Sequence, residues 1–499
     1  MNKWIVCLLF LVSNMAKING QSKEARQIDS FIVKSLNEFK EIPSLSITVV
    51  KDGTTFFTKS YGYSDTENKT PASPQTSYYI ASVTKSFVGL LAAKLEAQDI
   101  IQLDLPITEY RPIKNFNDKS VFEGITLNDL LSHSSGIQNN FLSWKFASIG
   151  DYDYDSMVKL LENKTSELRS KDFSYDNFGY NVFDIILHEE LNLSWKDLLD
   201  KEIFIPLGMQ RTSAYFSKPR HKKWNLAIPY SGINDQRLPK EVFTKKNDET
   251  FQAAGGMVSS TGDMEKVLQL FMNQGKVDGK QIINKKVIEK SLAPVAQITR
   301  GRKDVFTRDA YALGWNIGDY GDIEVYSHFG SFDGFFSHLS FLPNEKIGIA
   351  ILVNENHFGD NLGNLIASFV YDLLLGKINK VSDYSVQRDK VKQRISQIQE
   401  SFANGRLSRA KRKWLLKHDF KNYEGVYSNM HLGNLLINWE NDTLIANLGI
   451  SKAIATPSTN DETVRVEFRD GLGREILFIS DEDGTMAAVY RGQVFLKQK

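Results

Sequence analysis

A hydroxyl and an amine stand three residues apart in Ser82-Val83-Thr84-Lys85, just before the apolar residues Phe87, Val88, Leu90 and Leu91. On a helix these two side chains share one face, one turn apart. A serine is a poor nucleophile until something takes its proton, and a neighbouring amine can take it or help another group do so. The spacing alone is weak, since a chain of this length holds about two such matches by chance. Ser156-x-x-Lys159 and Ser408-x-x-Lys411 are the other matches here. Context separates them. Ser82 follows a β-like approach over residues 76–80 and opens a buried helix, whose free N–H groups and positive end suit a developing oxyanion. Ser156 follows the acidic stretch 151–155, and Ser408 lies in a basic, polar one.

Two further segments could complete such a site. Tyr175-Asp176-Asn177 lies between a polar loop and an apolar helix. A tyrosine has a pKa near 10 and acts as a base only where a cation lowers it, and Lys85 held close would be that cation. Tyr326-Ser327-His328-Phe329-Gly330-Ser331 closes a strand-like run. There a polar ring precedes a glycine that lets a substrate approach the backbone, and the Ser331 N–H offers a second oxyanion donor. His133, in Ser-His-Ser-Ser-Gly, reads as a residue of a helix-end turn, and Tyr427-x-Asn429 reads as part of a C-terminal strand.

These side chains need elements to hold them. Residues 24–39 carry apolar positions at helical spacing. Residues 45–50 and 54–61 form a hairpin about Lys51-Asp52-Gly53, and 323–327, 334–342 and 347–353 read as three more strands. The long interval between the two strand groups is mostly helix and loop, and about 365–375 is a closing helix. Strands from both ends of a domain with helices between them make an α+β fold. Residues 380–415 are charged and polar, a connecting helix plus linker. From Tyr423 onward, seven or eight short β runs with Asp470-Gly471 and Asp483-Gly484 turns suggest a small barrel or sandwich.

The chain has 499 residues, a formal net charge of +1 and 41% hydrophobic residues, so no global field favours nucleic acid. Met1-Asn2-Lys3, the apolar run from Trp4 to Val12 and the small residues up to Gly20 have the three parts of an export signal. That run is far short of the ~20 residues of a transmembrane span. The single cysteine, Cys7, falls inside the signal, so the mature chain has no disulfide, thiolate nucleophile or cysteine-bound zinc.

Ser82-x-x-Lys85, Tyr175-x-Asn177 and His328-x-Gly330 occur in the order, and at spacings similar to those, of class C serine β-lactamases and their relatives. Those relatives are D-alanyl-D-alanine carboxypeptidases, D-aminopeptidases and esterases. The flanks 125–136, 205–209, 254–259 and 313–315 resemble the family too, and the resemblance covers roughly residues 25–375. The C-terminal region is similar to the lipocalin-like β domain that often follows such catalytic domains. Residue patterns and resemblance together divide the chain into a signal over 1–20, a β-lactamase-like hydrolase domain over 22–378, a helical linker over 379–415 and a small β-barrel domain over 416–499.

The resemblance implies a two-step acyl transfer without metal or cofactor, on a small-molecule or peptide substrate, and the signal suggests the periplasm or medium as its place. Ser82 attacks a carbonyl, Lys85 and Tyr175 share the general-base work, and the N–H groups of Ser82 and Ser331 hold the oxyanion. Asn177 positions the substrate amide or the Lys85 amine, and Tyr175 protonates the leaving group. One departure narrows the substrate. Classical members have Lys-Thr-Gly where this chain has His328-Phe329-Gly330, and a histidine with an ordinary pKa is mostly neutral at neutral pH. The expectation is therefore an exported hydrolase for an ester, an amide or a peptide containing D-residues. The alternatives are a true β-lactamase or penicillin-binding carboxypeptidase, and a non-catalytic binding protein on the same fold.

Overall fold

A computed structural model describes residues 22–498 apart from 151–152, 163–166, 169, 234–239, 245, 300–304, 379–380 and 481–485. The signal expected over 1–20 lies outside the described residues. No helix among the described residues is long and apolar enough to cross a membrane.

Helix α1 (Lys23–Glu38) starts at Ser22, whose Oγ accepts from the Ala25 N–H, and it buries Ile28, Phe31 and Ile32 along one side. Strands β1 (Ser44–Lys51) and β2 (Thr54–Asp65) pair as the expected hairpin. Its turn residues Asp52 and Gly53 have φ of +51° and +78°, which is why a glycine is found there. Helices α2 (Thr84–Ala97), α3 (Phe178–Leu191) and α4 (Thr261–Met272) follow. Next come β3 (Ile323–Phe332), β4 (Phe335–Leu342), β5 (Ile347–Val353), α5 (Gly359–Leu374) and α6 (Val381–Ala410).

One antiparallel sheet of nine strands runs from Ala296–Gln297 through Ala310–Tyr311, Asn316–Tyr320, β3, β4, β5, β1 and β2 to Thr70–Pro71. Its strands come from both ends of the domain, as the α+β reading expects. The sheet is covered on both faces, so β5 is buried at every position. Ile347, Ile349, Ile351 and Val353 meet α1 and α5 on one face. Ala350 and Leu352 meet α2 and α4 on the other, as a period of two requires. β3 runs past Ser327 to Phe332, so His328, Gly330 and Ser331 stand inside a strand rather than beyond its end.

A second nine-stranded antiparallel sheet forms from residues 425–497. Its two edge strands, Ser451–Ile454 and Thr456–Pro457, are consecutive in the chain, so the sheet curls into a nearly closed barrel. Tyr427 lies in this barrel's core and donates its hydroxyl to Tyr423 O at 2.8 Å, a structural place for the second Tyr-x-Asn match. Trp144 and Ile149 reach across from the first part of the chain into the same core.

Candidate active site

Ser82 sits in a single 3-10 turn, Ala81–Val83, that leads into α2. The preceding Ile80 is held on both sides. Its N–H donates to Met257 O at 3.0 Å. Its carbonyl accepts from Ser337 Oγ, on β4, at 2.7 Å. Gly330 lies against that carbonyl: a Cβ there would stand 2.0 Å from Ile80 O. The glycine therefore serves the chain's own close approach, where the sequence had suggested room for a substrate. Behind α2, Gly314 (φ +82°) passes so near the helix that a Cβ would lie 2.1 Å from Lys85 O.

Lys85 is completely buried. Its Nζ donates to Asn177 Oδ1 at 2.8 Å and to Ala254 O at 2.6 Å, and Ser82 Oγ is 3.4 Å away. Burial lowers the amine to about 7, against a small upward pull from Asp176. A neutral amine has two N–H bonds, and Asn177 and Ala254 accept both. Its lone pair is then left for the third neighbour, the Ser82 hydroxyl.

Tyr175 stands at the rim of this group, in the loop before α3. That loop is tied to the turn after residues 127–131, through Ser174 N–H to His133 O at 2.9 Å. α3 seats on the same turn: Tyr180 donates to Leu131 O at 2.7 Å, and a Cβ on Gly179 would meet Leu130 O at 2.1 Å. Tyr175 lies with its ring centroid 4.3 Å from that of His133, and Lys85 Nζ is 5.0 Å from the Tyr175 ring centroid. Crowding pushes the phenol above its ordinary value, opposed by hydrogen bonding to Ser82 and by Arg308. Its surface is 45% exposed, so water limits that push. The direction is nevertheless upward, against the lowering by Lys85 that the sequence suggested, because burial of the phenol is the largest influence on it.

Three neighbours went unassigned in the sequence. Asp176 accepts from the Phe178 and Gly179 N–H groups at 2.8 and 3.3 Å, and burial raises its carboxyl to about 6. An aspartate two residues before an apolar helix is a cap signal that could have been read. His133 is a turn residue as read, with φ +62°, but its ring also packs among Tyr175, Tyr180 and Tyr311. Burial, then Lys85 and His328, hold that ring well below the ordinary histidine value. Tyr311 carries no local signal; it arrives through the sheet.

His328 is buried and faces Tyr311 OH at 2.9 Å with Nε2. Burial and Lys85 lower it to about 3, so it is neutral. Beyond Ser327 the strand Asn316–Tyr320 no longer pairs with β3, so residues 328–332 pair on the β4 side only. Ser331 is exposed on this uncovered length. The structure thus gathers Ser82, Lys85, Tyr175 and Asn177 directly, with His328, Gly330 and Ser331 on the adjoining strand. Ser156 is instead half-buried on a separate helix, donating to Asp153.

A family model for Beta-lactamase matches residues 32–369. The chain belongs to the β-lactamase family. Protein flp of Staphylococcus aureus is 29% identical over 337 residues, covering 66% of this chain and 63% of that protein. The chain thus spans under two thirds of the length of such curated relatives. The octameric penicillin-binding protein homologue from Pyrococcus abyssi superposes with a TM-score of 0.60 at 22% identity, over 94% of this chain and 99% of that one. D-amino acid amidase from Ochrobactrum anthropi gives a TM-score of 0.57 at 21% identity, over 70% and 99%. The first of these likenesses includes the C-terminal barrel, and both share the β-lactamase-family fold.

Proposed function

We propose that the protein hydrolyses an ester, an amide or a peptide containing D-residues through an acyl-enzyme on Ser82. One observation carries this reading: the buried Lys85 Nζ is held by Asn177 Oδ1 and Ala254 O at 2.8 and 2.6 Å, within 3.4 Å of Ser82 Oγ. Lys85 takes the Ser82 proton as Oγ bonds to the substrate carbonyl carbon. The carbonyl oxygen becomes an oxyanion held by the N–H groups of Ser82 and Ser331. Tyr175 gives its proton to the leaving group as the scissile bond breaks, and Lys85 returns a proton to Tyr175. Water then attacks the acyl carbon by the same route and frees Ser82. The raised phenol supports a donor role for Tyr175 and a base role for Lys85.

A substrate backbone laid along the uncovered length of β3 would pair with it as an added strand. The neutral His328 offers no cation for a substrate carboxylate, which argues against β-lactams as first substrates. The amide chemistry that D-amino acid amidase is named for fits the same reading. We read residues 1–20 as an export signal and divide the rest into a hydrolase domain (22–378), a helical linker (379–415) and a barrel domain (416–499).

The test is one preparation offered p-nitrophenyl esters, D-aminoacyl anilides and nitrocefin, with Ser82→Ala as blank and a fluorophosphonate probe as label. Turnover of esters or D-aminoacyl anilides, with the label on Ser82, is expected. Activity that survives in a folded Ser82→Ala protein would overturn the assignment. Efficient nitrocefin turnover at low enzyme concentration would move the reading to a β-lactamase.

A further inference from the structure

The hairpin that ends β3 is gripped from the C-terminal barrel. β3 and β4 meet at Phe332-Asp333-Gly334-Phe335, with Phe332 opposite Phe335. Asp333 is buried, its side chain 4% exposed. Arg469, from the barrel, reaches it with Nη2 at 2.7 Å from Oδ1 and with Nε at 3.2 and 3.1 Å from the two oxygens. Thr244 adds a hydrogen bond to Oδ2 at 2.8 Å, and Lys246 donates to the Asp333 carbonyl at 2.8 Å. The Arg469 guanidinium also lies 4.7 Å over the Phe332 ring. Burial would raise the Asp333 carboxyl, but Arg469, Thr244 and Lys246 outweigh it and hold it below its ordinary value.

The grip continues toward the amine. Phe332 meets Phe251 edge to face, centroids 4.6 Å apart. Phe251 and Gln252 both have left-handed backbones, φ +60° and +42°, a conformation that costs a non-glycine residue and needs neighbours to hold it. Phe332 is one such neighbour. The turn they open ends at Ala254, whose carbonyl takes a Lys85 N–H at 2.6 Å.

We propose that Arg469 is a positioning residue for the acylation site: by clamping Asp333 it fixes the end of β3 and, through Phe332 and Phe251, the Ala254 carbonyl that aims Lys85. The barrel is then part of the working site rather than an appendage to it. This inference rests on the function proposed above.

Lys85 itself is faced by Asp176, His133 and His328, and by the Tyr175 and Tyr180 rings at 5.0 and 5.3 Å. Loosening the turn at Ala254 lets water reach the amine and returns it toward its ordinary, higher value. The experiment compares the full chain with Arg469→Gln, Arg469→Lys and Tyr427→Phe, each checked for folding by circular dichroism. It measures Ser82 labelling and kcat and KM against pH on the best ester. Arg469→Gln is expected to lower kcat by about 10- to 100-fold, the scale of a misplaced reacting group, with KM changed little. Its acid limb should move to higher pH. Arg469→Lys keeps the charge without the fork and should recover part of the loss. Tyr427→Phe weakens the barrel away from the hairpin and should move neither kcat nor the limb.

A folded Arg469→Gln protein with wild-type kcat and limb overturns the proposal, as does a Tyr427→Phe protein that reproduces both changes. If the wild type takes no label at Ser82, the proposed function itself fails and this inference with it. If the wild type and Arg469→Gln are labelled at the same rate, this inference alone fails.

Discussion

The Tyr311 hydroxyl and His328 Nε2 are 2.9 Å apart, and Nδ1 of the same ring faces Phe329 O at 3.0 Å. A carbonyl only accepts, so Nδ1 carries the proton and Nε2 accepts from the tyrosine. With burial holding its pKa near 3, the ring is uncharged across the working range. It is a fixed dipole at the strand edge, neither a titrating base nor a cation.

His328→Gln keeps an acceptor for Tyr311 without a titrating group. It is expected to change kcat/KM on a neutral ester by less than about 10-fold, below the range of a lost proton-transfer group. The acid limb of the pH profile should stay in place. A limb that disappears in this variant would make His328 the titrating base.

The titration belongs to Lys85 and its surroundings. Burial lowers the amine to about 7, and Asp176, raised to about 6 by its own burial, pulls it slightly back up. The proposed mechanism needs the neutral amine, so kcat/KM should rise with pH through about 7 and fall below it. The apparent value belongs to the coupled pair. Asp176→Asn removes the negative charge that favours the ammonium, so the limb should move to lower pH while the Asn side chain still caps α3. A limb that moves upward would show that Asp176 does not act on Lys85 as a charge.

Tyr175→Phe removes the proton donor while leaving the ring on His133. The expected loss in kcat on an amide is about 10²- to 10⁴-fold. The loss should shrink on a p-nitrophenyl ester, whose leaving group needs no proton. Measuring both substrates on one preparation decides it: an equal loss on both would place Tyr175 in the attack rather than in leaving-group protonation.

The parts of this site that were legible in sequence are those carried by short local patterns. Ser82 and Lys85 share one turn, Tyr175 and Asn177 flank a helix start, and His328 and Gly330 share a strand. The hairpin at Asp52-Gly53 and the barrel's repeated short strands were legible for the same reason. What was missed depends on contacts between distant segments. Tyr311 reaches His328 only because two strands lie in one sheet, and the His133 ring reaches Tyr175 only because α3 seats on the turn after residues 127–131. The rise in the Tyr175 phenol could not be read either, since it depends on how the folded chain buries the phenol. Gly330 was seen, but its reason was not, because the Ile80 carbonyl that it accommodates lies far away in the chain.

That reason supplies the last prediction. Gly330 has no left-handed backbone to justify it, so the constraint is steric alone. Its missing Cβ would stand 2.0 Å from Ile80 O and 2.4 Å from Ser337 Oγ. The serine side chain can swing away, but the carbonyl is backbone, and Ile80 lies two residues before Ser82. Gly330→Ala must push β3 away from the segment that carries the nucleophile. An overpacked contact of this kind costs about 1–3 kcal/mol, read as a lower urea midpoint at unchanged slope. Because Gly330 precedes Ser331 and Ile80 lies two residues before Ser82, both proposed oxyanion donors sit next to the displaced atoms, and Ser82 labelling should slow more than the loss of folded protein explains. Gly314→Ala is the comparison. It strains a φ of +82° and meets Lys85 O at 2.1 Å, so it presses on α2 from behind. If Gly330→Ala kept both its midpoint and its labelling rate, the strand would have slack at the site, and the tight seat of Ile80 on β3 would not be what fixes Ser82.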